Sequence, residues 1–246
     1  MYFEGKVALV TGSSQGIGQV IATTLAEQGA DVIVHGFGAA DDCETCEQVR
    51  ALGRKTAGYD VDITDVPAVQ AMVDDIVAKF GKIDILVNNA GIYPAMPMVE
   101  VTEEHWEKVT HVNQKGTFFV TQSVVNKSMI PNNYGRIVSI ASIDGINPAQ
   151  GVGIYGATKS ALMMYSKYWA LELAEYDINS NCVAPGWVES KQVLAGDRWK
   201  TFLPNIPSRR LGKLSEIAEA VMFLCRDDVS FINGAMIDVN GGQIMR

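Results

Sequence analysis

The chain contains few cysteines and histidines, and it lacks both an excess of basic charge and a long apolar run. Its three histidines are scattered, and only two of its four cysteines lie close together, so they do not supply the four-ligand set of a structural zinc site. The net charge of -8 at pH 7 gives a surface that repels nucleic acid and anionic membranes, and we expect neither as a partner. No apolar stretch approaches the length of a membrane-spanning helix.

The N-terminal segment carries an acid, Glu4, where a secretory signal has positive charge, so a cytoplasmic location is expected. One close cysteine pair, Cys43 and Cys46, raises a redox or metal-binding interpretation. Disulfides are rare in the cytosol, and no second pair completes a metal site. We therefore interpret both as reduced thiols near the start of a surface helix, and we predict no metal.

Apolar residues are plentiful, and predicted strands alternate regularly with predicted helices. Hydrophobic residues make up 48% of the 246 residues, enough for a sizeable core. Strands are expected at 7–10, 31–34, 56–61, 83–87, 136–140, 178–183 and 235–239. Helices are expected at 16–28, 66–80, 102–129, 153–176, 190–203 and 214–225. A further helix, preceded by a polar segment, is expected to end at 52. This alternation predicts one doubly wound α/β domain over 1–246, a Rossmann-type fold whose seven-stranded parallel sheet carries helices on both faces.

A glycine-rich turn, Thr11–Gly18, lies between the first predicted strand and the first predicted helix. Its glycines let the backbone turn tightly and approach a pyrophosphate, whose charge is met by the helix N-terminus. The spacing Gly-x-x-x-Gly-x-Gly differs from the commonest dinucleotide-binding turn. Its place after an apolar strand and before a helix nevertheless favours nucleotide binding over a plain turn.

Tyr155 and Lys159 are four residues apart on the helix predicted over 153–176, so they share one helix face. An ammonium beside a phenol stabilises the phenolate, and we therefore expect a lowered pKa for Tyr155. Such a phenol exchanges a proton with an alcohol or a carbonyl oxygen near neutral pH. Taken alone, a pair of this kind is usually only a solvated helix face.

Two polar segments follow predicted strands: Asn88–Gly91 after the fourth and Ser142 after the fifth. In an open α/β sheet, ligands bind at the carboxyl ends of the strands. Asparagines in that position brace neighbouring loops, face a ribose, or merely form a turn. Ser142 is suited to orient a substrate oxygen, whereas Ser139 lies inside the strand and is interpreted as structural.

These motifs follow one order along nearly the whole chain, from Lys6 to Gly242, and together they resemble those of the classical short-chain dehydrogenases/reductases. The resemblance rests on Thr11–Gly18, Asn88–Gly91, Asn113, Ser142, Tyr155 with Lys159, and Pro185–Gly186. It implies hydride transfer between a nicotinamide cofactor and a carbon that bears oxygen.

The resemblance also implies a role for each matching residue. Tyr155 resembles the general acid/base, and Lys159 resembles the residue that binds the nicotinamide ribose and lowers the tyrosine pKa. Ser142 resembles the hydroxyl that orients the substrate, and Asn113 the residue that holds a water behind Lys159. The implied cofactor-binding residues are Gly12, Ser14, Gln15, Gly16, Ile17, Gly18, Phe37, Asp62, Ile63, Asn89, Ala90, Gly91, Tyr155, Lys159, Pro185, Gly186, Val188 and Ser190.

The segment after the second strand is expected to set the choice between NAD and NADP. An acid there binds the ribose 2′-hydroxyl, and a basic residue nearby accommodates a 2′-phosphate. Gly36 stands where the family pattern has the acid, and neither Gln15 nor Phe37 supplies a cation. Because Asp41 and Asp42 follow closely, we predict a weak preference for NAD(H), with NADP(H) possible.

The substrate is expected to bind at a loop region of about 187–212 and at neighbouring loops. The predicted lining is largely apolar: Tyr93, Pro94, Met96, Ile143, Asp144, Asn147, Pro148, Gln150, Val152, Trp187 and the segment 193–202. This predicts a small, fairly hydrophobic secondary alcohol or ketone. The alternative is a 3-oxoacyl thioester on acyl-carrier protein, but the segments Asn132–Tyr134 and Ala174–Asp177 lack the cation that such reductases of the family tend to carry.

A catalytically silent dinucleotide sensor or scaffold is a further alternative. Such a protein need not keep Asn113, Ser142, Tyr155 and Lys159 together, so we predict an NAD(P)-dependent oxidoreductase. The resemblance also implies a homotetramer. Its expected contacts are the helices that carry Asn113 and Tyr155, and the helix near 214–225 with the last strand.

Overall fold

The computed structural model describes residues 1–245, and their seven strands form one sheet in the order β3-β2-β1-β4-β5-β6-β7. Every neighbouring pair of strands runs parallel. The predicted doubly wound fold is therefore confirmed. The strands are β1 Val7–Val10, β2 Asp31–His35, β3 Thr56–Tyr59, β4 Ile85–Asn88, β5 Gly135–Ile140, β6 Ile178–Pro185 and β7 Met236–Val239.

Helices connect successive strands and agree with most of the predicted ranges. The helix α3 shows why its ends are well defined: Asp65 caps its first turn by accepting a 3.1 Å hydrogen bond from Ala68 N, and Gly81 ends it at a φ of 82°. The main helices are α1 Gly16–Glu27, α2 Glu44–Ala51, α3 Val66–Phe80, α7 Gly153–Leu173 and α10 Leu214–Cys225.

The region predicted as a helix over 102–129 is a continuous helical rod interrupted by two wider turns. Its pieces are α4 Glu103–Thr110, α5 Thr117–Val124 and α6 Ile130–Asn132, joined by π-helical turns at His111–Gly116 and Val125–Met129. The first of these turns contains Asn113. The region predicted at 190–203 divides into two short helices, α8 Lys191–Leu194 and α9 Arg198–Phe202.

The sheet is buried on both faces, which explains the uninterrupted apolar run of β1. Ala8 and Val10 pack with Leu25 of α1 and Val221 of α10 on one face. Val7 and Leu9 pack on the other face, in a cluster that also contains Met72, Ile76, Val120 and Leu162. Alternate residues of a strand point to opposite faces, so one short strand joins two apolar layers.

The strand order reverses between β1 and β4, because β2 lies on one side of β1 and β4 on the other. At such a switch point the loops diverge and open a crevice at the carboxyl ends of the strands. The predicted site segments after β1, β4, β5 and β6 all leave the sheet at this edge. Among residues 1–245, no helix is long and apolar enough to cross a membrane.

Candidate active site

Backbone conformation and close packing shape the glycine-rich turn. Gly12 and Gly16 have φ values of 64° and 62°, in the left-handed region that favours glycine. A Cβ on Gly18 would lie 2.3 Å from the Gly12 carbonyl oxygen and 2.5 Å from Asn89 Nδ2. The start of α1 therefore packs directly against the turn, as the third glycine of a dinucleotide-binding turn allows.

Asn89 fastens this turn to the loop after β4. Its Nδ2 donates to the carbonyl oxygens of Thr11 and Gly12, both at 2.9 Å. In return, Thr11 Oγ1 accepts hydrogen bonds from the backbone N–H of Asn89 at 3.0 Å and of Ala90 at 3.1 Å. Asn89 thus braces two loops of the predicted cofactor site, one of the roles considered from the sequence.

His35, at the end of β2, connects the same turn to the loop after β3. Its Nδ1 accepts from Gly12 N at 3.4 Å, and its Nε2 lies 2.9 Å from the carbonyl oxygen of Val61. This pairing assigns the ring proton to Nε2, and burial lowers the pKa of His35. Sequence reasoning gave His35 no role, because a lone histidine at a strand end has no distinctive pattern.

The geometry of this edge of the sheet fits a dinucleotide. Gln15, the residue before α1, makes no side-chain cap hydrogen bond to the first turn of the helix. The first N–H groups of a helix have no partner within the helix and favour a negative group such as a phosphate. The glycine turn beside them has no room for a Cβ at Gly18. The free N–H groups at the start of α1 and the tightly packed glycine turn therefore suit the binding of a pyrophosphate.

The residues predicted near the adenosine lie after β2 and β3. Phe37 is 79% exposed, and Ile63 is buried against Gly116. Asp62 Oδ1 accepts a 2.8 Å hydrogen bond from Thr64 N, which shapes the loop after β3. Asp41 Oδ1 likewise accepts from Gly58 N at 2.7 Å. Acidic side chains therefore shape both of these loops.

Tyr155 and Lys159 lie on one face of α7, with Lys159 Nζ 5.7 Å from the centroid of the phenol ring. Lys159 Nζ donates a 2.7 Å hydrogen bond to the carbonyl oxygen of Ile140, and burial lowers the pKa of Lys159 to about 8. The expected lowering of the Tyr155 pKa is wrong for this structure. Burial raises that pKa well above its ordinary value, the Asp144 carboxylate adds to the rise, and the nearby Ser142 hydroxyl opposes it.

Ser142 lies two residues beyond β5, and its hydroxyl is near enough to the Tyr155 phenol to lower the pKa of Tyr155. Ser142 Oγ also accepts a 3.1 Å hydrogen bond from Asp144 N, which starts the short 3₁₀ turn Ile143–Gly145. The hydroxyl is therefore held on a fixed turn and not on a mobile loop. The hydroxyl groups of Ser142 and Tyr155 therefore lie near each other, and two such donors can bind one carbonyl oxygen.

Asn113 projects from the π-helical turn toward the loop after β4. Its Oδ1 accepts from Ile92 N at 2.9 Å, and its Nδ2 donates to Ile92 O at 2.8 Å and to Thr158 Oγ1 at 3.1 Å. A Cβ on Gly91 would lie 3.2 Å from Asn113 Oδ1 and 3.5 Å from Lys159 Nζ. Asn113 and Lys159 thus flank Gly91 from two different helical segments.

The predicted nicotinamide-facing loop leaves the end of β6. Gly186 N donates to the carbonyl oxygen of Val239 at 3.0 Å, which ties the loop to β7. Val188 is buried and forms an isolated bridge with Gly212. Ser190 Oγ accepts from Val193 N at 3.1 Å and so caps α8. The structure therefore gives Ser190 a helix-capping role, besides the cofactor role that the resemblance implied.

Three loops that were predicted to line the substrate site contact one another near Tyr155. From the loop after β4, the Tyr93 ring lies 5.8 Å from the Tyr155 ring. Met96 N of the same loop donates to the carbonyl oxygen of Gly151 at 2.7 Å. The segments 93–96 and 143–152, both predicted to line the pocket, are therefore in direct contact.

The third loop, within 187–212, contacts the segment 143–152. Arg198 Nη2 donates to the carbonyl oxygen of Gln150 at 2.8 Å. The rings of Trp187 and Phe202 stack with their centroids 5.0 Å apart. Arg198 lies over the Phe202 ring at 5.7 Å, so this wall combines an aromatic pair with a cation.

The cysteine pair lies outside these loops, at the start of α2 as predicted. Cys43 precedes the helix, and Cys46 is buried within it. Burial raises the pKa of the Cys46 thiol to about 11. No disulfide joins the cysteines, all of which lie within the described part of the chain.

Comparisons with known proteins agree with this geometry. A sequence model of a family described as enoyl-(acyl carrier protein) reductase matches residues 12–243. The chain is 37% identical to a 3-oxoacyl-(acyl-carrier-protein) reductase of Thermotoga maritima over 100% of both chains. It is 37% identical to a 2-dehydro-3-deoxy-D-gluconate 5-dehydrogenase of Dickeya dadantii, over 99% of this chain and 97% of that one. A solved short-chain dehydrogenase/reductase family protein is 33% identical and superposes with a TM-score of 0.86 over 98% of both chains.

Matches of this extent place the chain among the oxidoreductases built on a Rossmann-type sheet. The chain belongs to the short-chain dehydrogenase/reductase family. The resemblance inferred from the sequence motifs is thereby confirmed, and with it the expectation of a nicotinamide cofactor at the family level.

Proposed function

We propose that the protein transfers a hydride between a nicotinamide cofactor and a small, free ketone or secondary alcohol, with Tyr155 as the general acid/base. The observation that carries this proposal is that Ser142 lies close enough to Tyr155 to lower its pKa, at the edge of the sheet that also presents the glycine-rich turn. The whole chain would then act as one cofactor-binding and catalytic domain, with a substrate loop at about 187–212.

The side chains divide the chemistry among them. The cofactor, when bound, supplies the hydride. Ser142 and Tyr155 donate hydrogen bonds to the carbonyl oxygen and stabilise the negative charge that develops on it. The raised pKa of Tyr155 keeps the phenol protonated before reaction, which suits carbonyl reduction. Lys159, whose pKa of about 8 lies near neutrality, is suited to restore that proton.

The surface before β5 and β6 supports a free substrate over one bound to an acidic carrier protein. Two cations lie there: Arg136, whose side chain is only 3% exposed, pairs with Asp177 and Asp227 at 3.4 Å, and Lys6 pairs with Asp227 at 3.4 Å. Those two carboxylates are 53% and 57% exposed. An acidic carrier would therefore meet negative charge at this surface.

The relatives support the carrier-bound alternative, because 3-oxoacyl-(acyl-carrier-protein) reductases of Thermotoga maritima and Escherichia coli are 37% and 38% identical to this chain. The Thermotoga protein is named for a carrier-bound substrate and the Dickeya protein for a sugar acid, and both are 37% identical to this chain. The 3-oxoacyl thioester thus stays the second candidate. The charge at the surface before β5 and β6, and not sequence identity, ranks it below a free ketone.

The test is an assay of the purified protein with NADH and NADPH on a panel of free ketones and on a 3-oxobutanoyl carrier thioester. We expect kcat/KM for the best free ketone to exceed that for the carrier substrate at least tenfold. Tyr155→Phe should lose at least about 100-fold, because general acid catalysis contributes that much. Tyr168→Phe, on the exposed side of the same helix, is the matched control.

Two results would change the assignment. A carrier thioester turned over faster than every free ketone would assign the second candidate. A wild type that binds NADH but turns over no substrate, together with unchanged NADH binding in Tyr155→Phe, would support the sensor or scaffold alternative.

We propose a weak preference for NAD(H), as the sequence predicts. No basic side chain stands at Gly36 or Phe37 after β2, and Asp41 and Asp62 shape the two loops at this end of the site. The additional phosphate of NADP(H) would be repelled by these carboxylates, and no arginine at positions 36 or 37 would bind it.

We also propose a homotetramer assembled through two apolar faces. On α4 and α7, Trp106, Met164 and Leu171 are 51%, 62% and 81% exposed, beside a groove of about 490 Å³ lined in part by Phe118 and Tyr165. Beyond α10, Phe231 is fully exposed and Met245 is 83% exposed. Two separate self-complementary faces generate a closed dimer of dimers.

Light scattering during size-exclusion chromatography tests the assembly. A mass near four times the 26.7 kDa of one chain is expected. A monomer at micromolar concentration would refute the tetramer.

A further inference from the structure

Asp144 places a carboxylate beside the two groups proposed to hold the substrate oxygen. Its Oδ2 lies 3.5 Å from Ser142 Oγ, and its backbone N donates to the same hydroxyl at 3.1 Å. Its carbonyl oxygen packs against α7, where a Cβ on Gly156 would lie only 2.5 Å away. The carboxylate is therefore held on a rigid turn at the reacting end of the cleft.

This carboxylate has few partners of its own. None of the ion pairs in the described part of the chain includes Asp144. Within residues 1–245, its side-chain oxygens accept a hydrogen bond from Ser142 alone. Burial raises its pKa, and the more distant Arg198 only partly offsets that effect. A bound substrate would bury this carboxylate more deeply. A buried carboxylate needs a hydrogen-bond donor.

The substrate is placed to provide that donor. The Ser142 hydroxyl has a single proton, which it directs to the substrate carbonyl during reduction. Asp144 then loses its side-chain donor at the moment when the substrate shields it from water. Because Asp144 Oδ2 lies 3.5 Å from Ser142 Oγ, a hydroxyl on the carbon next to the carbonyl would be placed to take over that hydrogen bond. A cationic group is less suitable, because the positive charge of Arg198 acts on the same part of the cleft, at Asp144 and Tyr93.

We infer that Asp144 is a specificity-determining residue that accepts a hydrogen bond from a substrate hydroxyl, so that hydroxyketones are preferred over the corresponding plain ketones. The inference rests on the proposed function, since it assigns the polar group of the same cleft. The aromatic pair of Trp187 and Phe202 forms the wall for the apolar part of such a substrate. The predicted substrate class thereby narrows from a fairly hydrophobic ketone to one that carries a neighbouring hydroxyl.

Paired substrates that differ by one hydroxyl test the inference. The pairs are 3-hydroxybutan-2-one with butan-2-one, and 2-hydroxycyclohexanone with cyclohexanone, each measured with NADH. For the wild type we expect kcat/KM to favour the hydroxyketone by about tenfold or more, because a site built to bind a hydroxyl discriminates against its absence. In Asp144→Ala the ratio should fall to within about threefold of one, and Asp144→Asn should lower it at least threefold.

The ratio separates this role from an effect on Tyr155. Removing the Asp144 charge also changes the pKa of the phenol, but both members of a pair use the same phenol, so that effect cancels. Asp74→Asn, which removes a carboxylate 65% exposed on α3, is the control and should keep the wild-type ratio. Circular dichroism and NADH binding establish that each variant is folded.

Two outcomes overturn the inference in distinguishable ways. If plain ketones are reduced and the ratio is near one in the wild type, or is unchanged in both Asp144 variants, the role of Asp144 is refuted while the proposed function stands. If the wild type reduces none of the four ketones with NADH, and none when the assay is repeated with NADPH, the proposed function fails and the inference fails with it.

Discussion

Lys159 Nζ donates a 2.7 Å hydrogen bond to the carbonyl oxygen of Ile140, at the last residue of β5. This contact buries an ammonium between α7 and the sheet, and burial lowers its pKa to about 8. A buried cation without a carboxylate partner destabilises a fold, so its presence beside Tyr155 indicates a functional requirement.

Replacing Lys159 by methionine should therefore stabilise the protein while it impairs turnover. Below pH 8 the folded protein carries the full destabilisation of the buried ammonium. Between pH 8 and the ordinary pKa of 10.5 the unfolded chain holds more protons than the folded one, so stability rises with pH. Lys159→Met should raise the free energy of unfolding by roughly 1–2 kcal/mol at pH 7, and by less near pH 10. Ketone reduction should fall at least about 100-fold.

Urea unfolding at pH 7 and pH 9.5 measures this difference. Lys167→Met, an exposed lysine of the same helix, is the control and should change stability little at either pH. A Lys159→Met variant that is less stable than the wild type at pH 7 would show that the hydrogen bond to Ile140 outweighs the burial of charge.

Tyr155 should ionise late in the protein without cofactor. Burial and the Asp144 carboxylate both raise its pKa, while the nearby Ser142 hydroxyl lowers it. The absorbance of tyrosinate in the wild type minus that in Tyr155→Phe should therefore show no ionisation of this residue below pH 10. Asp144→Asn should shift the transition to lower pH. A Tyr155-dependent transition below pH 9 would instead restore the expectation drawn from the spacing to Lys159.

The close packing of Gly18 predicts the effect of one methyl group. In Gly18→Ala the new Cβ would meet the Gly12 carbonyl oxygen at 2.3 Å and Asn89 Nδ2 at 2.5 Å. The turn must shift, and we expect a loss of about 1–3 kcal/mol in stability and at least tenfold weaker NADH binding. Gly196→Ala is the control, because a Cβ there has nothing within 4 Å. NADH affinity is measured by fluorescence titration. An unchanged affinity in Gly18→Ala would argue against a pyrophosphate at this turn.

Adding one cation after β2 should change the cofactor preference. The wild type is expected to use NADH with a higher kcat/KM than NADPH. Phe37 is 79% exposed, so Phe37→Arg adds a guanidinium near the ribose without disturbing the core. It should raise kcat/KM for NADPH at least tenfold, since an arginine forms paired hydrogen bonds with a phosphate. Leu52→Arg, at the far end of α2, should leave the preference unchanged. A wild type that favours NADPH more than tenfold would contradict the proposal.

The local pattern of the sequence determined the sheet and most helices. An apolar run located β1, because a strand buried on both faces is largely apolar. Boundaries that depend on neighbouring elements were less accurate. β3 ends at Tyr59, short of the predicted 61, and the region 190–203 divides into α8 and α9. Strand pairing and loop contacts set such limits, and neither is local in sequence.

The sequence by itself determined the family, the edge of the sheet where chemistry occurs, and the candidates Ser142, Tyr155 and Lys159, since these depend on residue order and spacing. Only the tertiary structure decided how those groups behave. It directs the Lys159 ammonium to Ile140 and partly buries the Tyr155 phenol near Asp144, so the pKa of Tyr155 moves opposite to the direction that helical spacing suggested. Desolvation and charge act through space, and the groups that supply them here come from three separate segments of the chain.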